Sequence, residues 1–176
     1  IVIAIAVANN PDLLLADEPT TALDVTIQSQ IFRLIETIRN KFGTAMILIT
    51  HDLGLVAGIA DRIIVMYGGR VVEEGLTDQI YYDPQHPYTV GLLNAVPRLS
   101  DSSSAPLRTI EGLPPVLRDA SEKCAFAERC PYVMKVCRQA QPGYFPAAAG
   151  NRTACWLHHE AAKPLQKAFL DKRASS

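Results

Sequence analysis

Residues 12–17, Asp-Leu-Leu-Leu-Ala-Asp, form an unbroken apolar run between two carboxylates. A run of that length predicts a strand buried on both faces of a sheet. The period then changes. Ile27, Ile31, Leu34, Ile35, Ile38 and Phe42 recur at spacings of three and four, which lines one face of a helix. Asp24 or Thr26 can cap its start, and Gly43 is its stop. Residues 45–50 predict a second buried strand and 53–60 a short helix. Residues 62–75 predict a hairpin turning at Gly68-Gly69. Strand, helix, strand, helix implies an α/β fold with a parallel sheet and right-handed crossovers. Ligands of such sheets sit beyond the carboxyl ends of the strands. Asp17 and Glu18 close the first strand and His51 the second, so the polar residues of both should face one ligand.

The rest of the chain has another character. Residues 78–97 predict a short helix, a Pro-bounded turn and a second helix, and 98–106 are a Ser-rich linker. All four cysteines and most of the prolines follow residue 80. The tail from Glu160 is polar and mildly helical and is expected to fray. At the other end "IVIAIAVANNP" reads as an apolar helix, and its start on Ile1 rather than Met resembles a cut.

Composition narrows the classes. Apolar residues make up 48% and charged residues 20%, ordinary for a globular protein. A net charge of −1 gives no basic field for nucleic acid or an anionic lipid surface. The first eight residues are the longest apolar run, against about 20 for a membrane-spanning helix, and they lack the flanks of a signal peptide.

The candidate chemistry is of two kinds. Asp17, rigid at a strand tip, suits a phosphate-bound Mg²⁺, and Glu18 beside it suits a general base for an attacking water. His51 can hydrogen-bond a γ-phosphate, and Asp24 stands beyond the Pro19 turn, placed to touch a neighbour or to help position water. The plainer reading has Asp17 and Glu18 capping a turn and His51 as a satisfied strand-end histidine. The cysteines, Cys124, Cys130, Cys137 and Cys155, follow the spacing C-x5-C-x6-C-x17-C. Four thiolates can hold an iron–sulfur cluster or a tetrahedral Zn²⁺. This spacing is wider than common zinc knuckles and favours a cluster over zinc, with free thiols and two disulfides as the other readings. His158 and His159 are reserve ligands, while His86 and Tyr88 read as packing residues. A nucleotide site belongs in a reducing compartment, which argues against the disulfides and against glycosylation at "NRT", 151–153.

"LLLADEPTTALD" followed by "ILITHDLGLVAGIADRIIVMYGGRVVEEG" resembles the Walker B, D-loop and H-loop half of an ATP-binding-cassette ATPase. The resemblance covers residues 1 to about 80 and implies the C-terminal half of a cassette ATPase domain. It implies Asp17 as the Mg²⁺ residue, Glu18 as catalytic base, His51 as the γ-phosphate switch and Asp24 as the contact across a nucleotide sandwich. The G-x-x-x-x-G-K-[ST] phosphate loop, the Q-loop and the signature segment do not occur in the chain. Alone it is therefore expected to bind ATP poorly and hydrolyse none. "QHPYT" at 85–89, "IEGLPP" at 110–115 and "CAFAERCPYVMKVC" at 124–137 resemble the C-terminal extension of dipeptide and oligopeptide importers.

The expected organisation is a nucleotide-binding part at 1–80 and a helical connector at 81–97. A small irregular Pro/Cys-rich extension at 98–160 and a frayed tail at 161–176 complete it. The resemblance further implies ATP and Mg²⁺, and a [4Fe-4S] cluster on the four cysteines, with Zn²⁺ as the alternative. It implies an identical or paralogous second ATPase subunit, permease subunits and, indirectly, a peptide-binding protein, at the cytoplasmic face of the membrane. A truncated, non-enzymatic metal-binding module is the competing function, and a cassette ATPase without a transporter is a third. The "QHPYT" string and the cysteines speak against the third.

Overall fold

The computed structural model describes residues 2–21, 23–96, 109–115, 122–147 and 150–174. The Ser-rich linker, 98–106, lies outside them. Two compact units make up the chain, Ile1–Ile59 and Ala60–Ser176.

The first unit runs α1 (Val2–Val7), β1 (Leu13–Asp17), α2 (Val25–Phe42), β2 (Ala45–Ile49) and α3 (Leu53–Val56). β1 and β2 pair in parallel, from Leu13 opposite Ala45 to Asp17 opposite Ile49. Their carboxyl ends are thus level, which is the property that matters for a site. Helix α2 starts and stops where the sequence predicts. The Asp24 side chain accepts from the N–H groups of Thr26 and Ile27, and Gly43 ends the helix at φ 67°, donating to the carbonyl of Arg39.

Two expectations about burial fail. The buried face of α2 is Phe32, Ile35 and Ile38, while Ile27, Leu34 and Phe42 are exposed. Apolar residues cover two adjacent faces of this helix, both compatible with its period, and the face carrying Phe32 turns inward. Nor are the strands buried on both sides. Ala16 is buried, but Leu13, Leu15, Ile47 and Ile49 lie exposed, Leu15 at 64%. Successive side chains alternate across a strand, and among the described residues this two-stranded sheet has no layer over its Leu15–Ile47 face.

The second unit is built on an antiparallel sheet of β3 (Arg62–Tyr67), β4 (Arg70–Leu76), β5 (Phe145–Pro146) and β6 (Arg152–Thr153), in the order β3-β4-β6-β5. Gly68 and Gly69, at φ 57° and 71°, make the two-residue hairpin turn. Strand β6 pairs Thr153 with Glu73 and Arg152 with Glu74, so the hairpin is continuous with the cysteine-containing part. Helices α4 (Thr77–Tyr82) and α5 (Pro87–Ala95) follow the hairpin. The register slips between Val65 and Met66, which face Glu73 and Val71, leaving Val72 as an extra residue. This bulge breaks the alternation, and Val72 and Glu73 are both buried.

The tail expected to fray is instead helix α6, Lys163–Ala174. Phe169, 1% exposed, joins a core with Cys155 and Leu157 and stacks edge-on against Tyr132 at 5.3 Å. Arg173 pairs with Asp83 at 2.6 Å and donates to the carbonyl of Pro84. One buried aromatic and one ion pair dock a helix whose remaining composition reads as solvated.

Candidate functional site

At the level ends of β1 and β2 the structure brings Asp17, Glu18 and His51 together. The Glu18 N–H donates to the Ile49 carbonyl at 2.8 Å, tying the residue after β1 to the end of β2. Glu18 itself has φ 43°, in the left-handed region that few side chains adopt. Such conformations cost about 1 kcal/mol or more and persist where the surroundings enforce them. Its carboxylate accepts from the Thr21 hydroxyl at 2.7 Å and meets His51 Nδ1 at 3.1 Å. Those two hydrogen bonds, Thr21 first, hold the Glu18 carboxyl below its ordinary value. Both side chains are open to solvent, Glu18 at 46% and His51 at 78%. Asp24 does not join them, because its carboxylate serves as the cap of α2, 3.0 Å from the N–H groups of Thr26 and Ile27.

The second unit holds an opposite kind of site, dry and closed. Glu73 is completely buried. It accepts from the N–H of Gln85 at 2.6 Å, the N–H of His86 at 2.9 Å and Asn151 Nδ2 at 3.2 Å. Loss of hydration raises its carboxyl above the usual range, and the hydrogen bonds pull back against that. Close by, Gly75 leaves no room for a side chain, since a Cβ there would stand 2.7 Å from Asn151 Oδ1. Glu73 therefore clamps the turn before α5 onto the sheet. Nothing in the sequence marks it out, because only the bulge turns it inward.

That turn carries His86, 1% exposed, whose Nδ1 accepts from the N–H of Tyr88 and caps α5. Burial drives its pKa down to about 3, so the ring is neutral. Tyr88 packs against Tyr67 at 4.5 Å and Phe126 at 5.4 Å, the packing role the sequence gives it. Unforeseen too is Arg129, which donates to the carbonyls of Ile110 and Glu111 and reaches the Tyr67 hydroxyl.

All four cysteines line one small cavity of about 10 Å³, together with His86 and Met134. None is in a disulfide; Cys137 and Cys155 are buried and Cys124 and Cys130 half-buried. The backbone N–H groups of Phe126 and Ala127 pull the Cys124 thiol down against burial, as that of Tyr132 does for Cys130 and that of Leu157 for Cys155. The N–H of Met134 donates to Cys137 Sγ at 3.4 Å. Burial raises the thiols of Cys124 and Cys155 and pushes Cys130 up to about 12. Among the described residues, no three or more His, Cys, Asp or Glu are grouped as a single metal ion requires. The reserve ligands are occupied elsewhere. His158 bridges the Gln85 carbonyl at 2.9 Å and the Gln166 amide at 3.1 Å, and His159 accepts from the Ala161 N–H.

These features place the molecule in a class. Residues 72–137, from the bulge of β4 through the third cysteine, match the family "Oligopeptide/dipeptide transporter, C-terminal region". Over 166 residues the chain is 48% identical to the oligopeptide transport ATP-binding protein OppD of Bacillus subtilis, spanning 94% of this chain and 46% of that protein. It is 51% identical over 163 residues to the dipeptide transport ATP-binding protein DppD of the same organism, 93% of this chain and 48% of that one. With OppD of Salmonella typhimurium it shares 53% over 142 residues, 81% of this chain and 42% of that one. Over most of its length the chain is similar to ATP-binding proteins of oligopeptide and dipeptide transport, and it spans about half the length of the relatives it matches. Among the described residues, no helix is long and apolar enough to cross a membrane.

Proposed function

We propose that this chain is part of an ATP-hydrolysing subunit that energises peptide import. The observation that carries the reading is the pairing of Glu18 with His51 at 3.1 Å beside Asp17, where two parallel strands end level. In it, Asp17 would hold the Mg²⁺ of the nucleotide, which would supply charge neutralisation at the phosphates. Glu18 takes the proton of the water attacking the γ-phosphorus in line, as the bond to the departing ADP oxygen breaks. The other carboxylate oxygen is steadied by Thr21, so Glu18 points in a fixed direction. His51 is the side chain that turns from Glu18 to the γ-phosphate. Asp24 keeps the start of α2 in place for a contact with a second ATPase subunit, identical or paralogous. Permease subunits and, through them, a peptide-binding protein are the further partners, and the subunit lies on the cytoplasmic face of the membrane without crossing it. The exposed Leu15–Ile47 face of the parallel pair is covered, in this reading, by other parts of a longer cassette domain.

The same reading gives the second unit a resident cofactor. Cys124, Cys130, Cys137 and Cys155 hold a [4Fe-4S] cluster, which supplies electron-transfer chemistry or a covalent staple, with Zn²⁺ as the alternative. Four thiols lining one cavity, with the Met134 N–H on Cys137 Sγ, support this reading, although among the described residues no three or more such groups stand as a single metal ion requires. The cavity as it stands has room for about one water, less than a cluster would fill.

The test of the first part is Glu18→Gln in the complete subunit. ATP hydrolysis should fall by about 10³-fold while ATP still binds, as read by nucleotide retention. Hydrolysis at the native rate would remove Glu18 from the role of base.

A further inference from the structure

Arg129 carries a charge that its surroundings do not balance. The side chain is half-buried, and three of its five N–H groups are committed. Nε donates to the Glu111 carbonyl at 2.8 Å, Nη2 to the Ile110 carbonyl at 2.7 Å and Nη1 to the Tyr67 hydroxyl at 3.3 Å. Those acceptors are neutral, and among the described residues no carboxylate meets the guanidinium. A partly desolvated cation without a counter-ion is costly. Its remaining N–H groups can take one.

The same side chain lines a cleft of about 560 Å³, a size that suits a small molecule. Both sides of the cleft are fixed in advance. On one, the Ile110 side chain packs onto α5 where Gly91 makes room, since a Cβ there would stand 2.9 Å from Ile110 Cγ1. On the other, α6 is docked by Phe169 against Tyr132 and by Arg173 on Asp83. The lining is apolar at Val90, Tyr132 and Phe169. Its charged residues are Arg129, Lys172 and Arg173 against Glu111, so cations prevail among the described residues.

We propose that this cleft binds a small amphipathic organic anion, its carboxylate or phosphate on Arg129 and its apolar body against Val90, Tyr132 and Phe169. The anion supplies the counter-charge that Arg129 lacks, and the apolar wall selects a ligand with more than a bare head group. An arginine suits either head, because its planar donors match both carboxylate and phosphate oxygens. The proposal depends neither on ATP hydrolysis nor on a metal at the cysteines.

The experiment titrates the complete subunit with three probes, followed by ligand-observed nuclear magnetic resonance. They are 3-phenylpropionate, phenyl phosphate and the neutral 3-phenylpropionamide. The wild type should bind at least one of the anions about tenfold or more tightly than the amide, the worth of a hydrogen bond to a charged group. Which anion binds better names the head group. Two variants locate the site. Arg129→Gln removes the charge but keeps an amide donor for a carbonyl, and it should bind acid and amide alike. Asn94→Trp fills the cleft from α5, where Asn94 lines it, and should bind neither. No binding by the wild type, or equal binding of acid and amide, overturns the proposal. Binding that survives Asn94→Trp overturns it too, because the ligand then sits elsewhere. If Arg129→Gln fails to fold, the wild-type preference for the anion and its loss in Asn94→Trp decide together.

Discussion

The strand-end site and the thiol cavity are built on opposite principles. Asp17, Glu18 and His51 are displayed at the open end of two strands, with the Glu18–His51 pair in water and an apolar sheet face bare behind it. The thiols, His86 and Glu73 are enclosed, and the Glu73 carboxylate and His86 Nδ1 are held by backbone N–H groups. An exposed pair is cheap to keep and contributes little to stability. In the proposed function its geometry would serve a phosphate and a partner surface. A buried carboxylate and four close thiols are costly unless something compensates them. The first site is therefore open and the second enclosed.

If that contrast is right, substitutions in the two units should separate function from stability. The largest effect belongs to the thiols. Cys155→Ala should lower the metal content of the complete subunit by about tenfold or more, a loss of the size seen when a metal site is damaged, as measured by iron and zinc analysis. Unchanged content would remove Cys155 from the ligands. Next comes the clamp. Glu73→Ala strands the N–H groups of Gln85 and His86 and should cost about 3 kcal/mol, read from urea unfolding. A loss below about 0.5 kcal/mol, the range of ordinary surface changes, would mean the clamp is ornamental.

The clamp also has a pH signature. Burial keeps the Glu73 carboxyl above its ordinary 4.5, so the native state holds a proton where the unfolded chain has lost it. Its contribution is complete below 4.5 and is lost as pH rises through the raised native value. Between 4.5 and that raised value the stability of the wild type, read from melting curves, should therefore fall with pH faster than that of Glu73→Gln, and above it the two should run parallel. Parallel behaviour throughout would show that the hydrogen bonds outweigh the desolvation. The smallest effect is at Asp24. Asp24→Ala should cost about 1 kcal/mol through the lost cap of α2, by thermal unfolding. No change would deny the cap and leave Asp24 to intersubunit contact only.

The same contrast explains what the sequence discloses. The parallel strands, the cap and stop of α2 and the Gly68-Gly69 turn rest on local patterns, and the structure follows them. Asp17, Glu18 and His51 are legible because a strand end places them directly. Burial is less legible: α2 offers two apolar faces, and only tertiary packing chooses Phe32 over Leu34. Glu73 stays hidden because "VVEE" names two carboxylates and the bulge at Val72 decides which turns inward. Helix α6 is hidden by its composition, since a single Phe169 anchors it among lysines and arginines. The shared cavity of cysteines spread over thirty-two residues, Cys124 to Cys155, is foreshadowed by their spacing alone. The Met134 N–H on Cys137 Sγ exists only in the folded turn.

The most direct test of the account is an absorption spectrum, with iron, sulfide and zinc analysis, of the complete subunit purified without oxygen. The account predicts a broad visible band near roughly 400 nm and iron and sulfide in about equal amounts, as a thiolate-bound cluster requires. A folded, colourless protein with no iron, sulfide or zinc would contradict it.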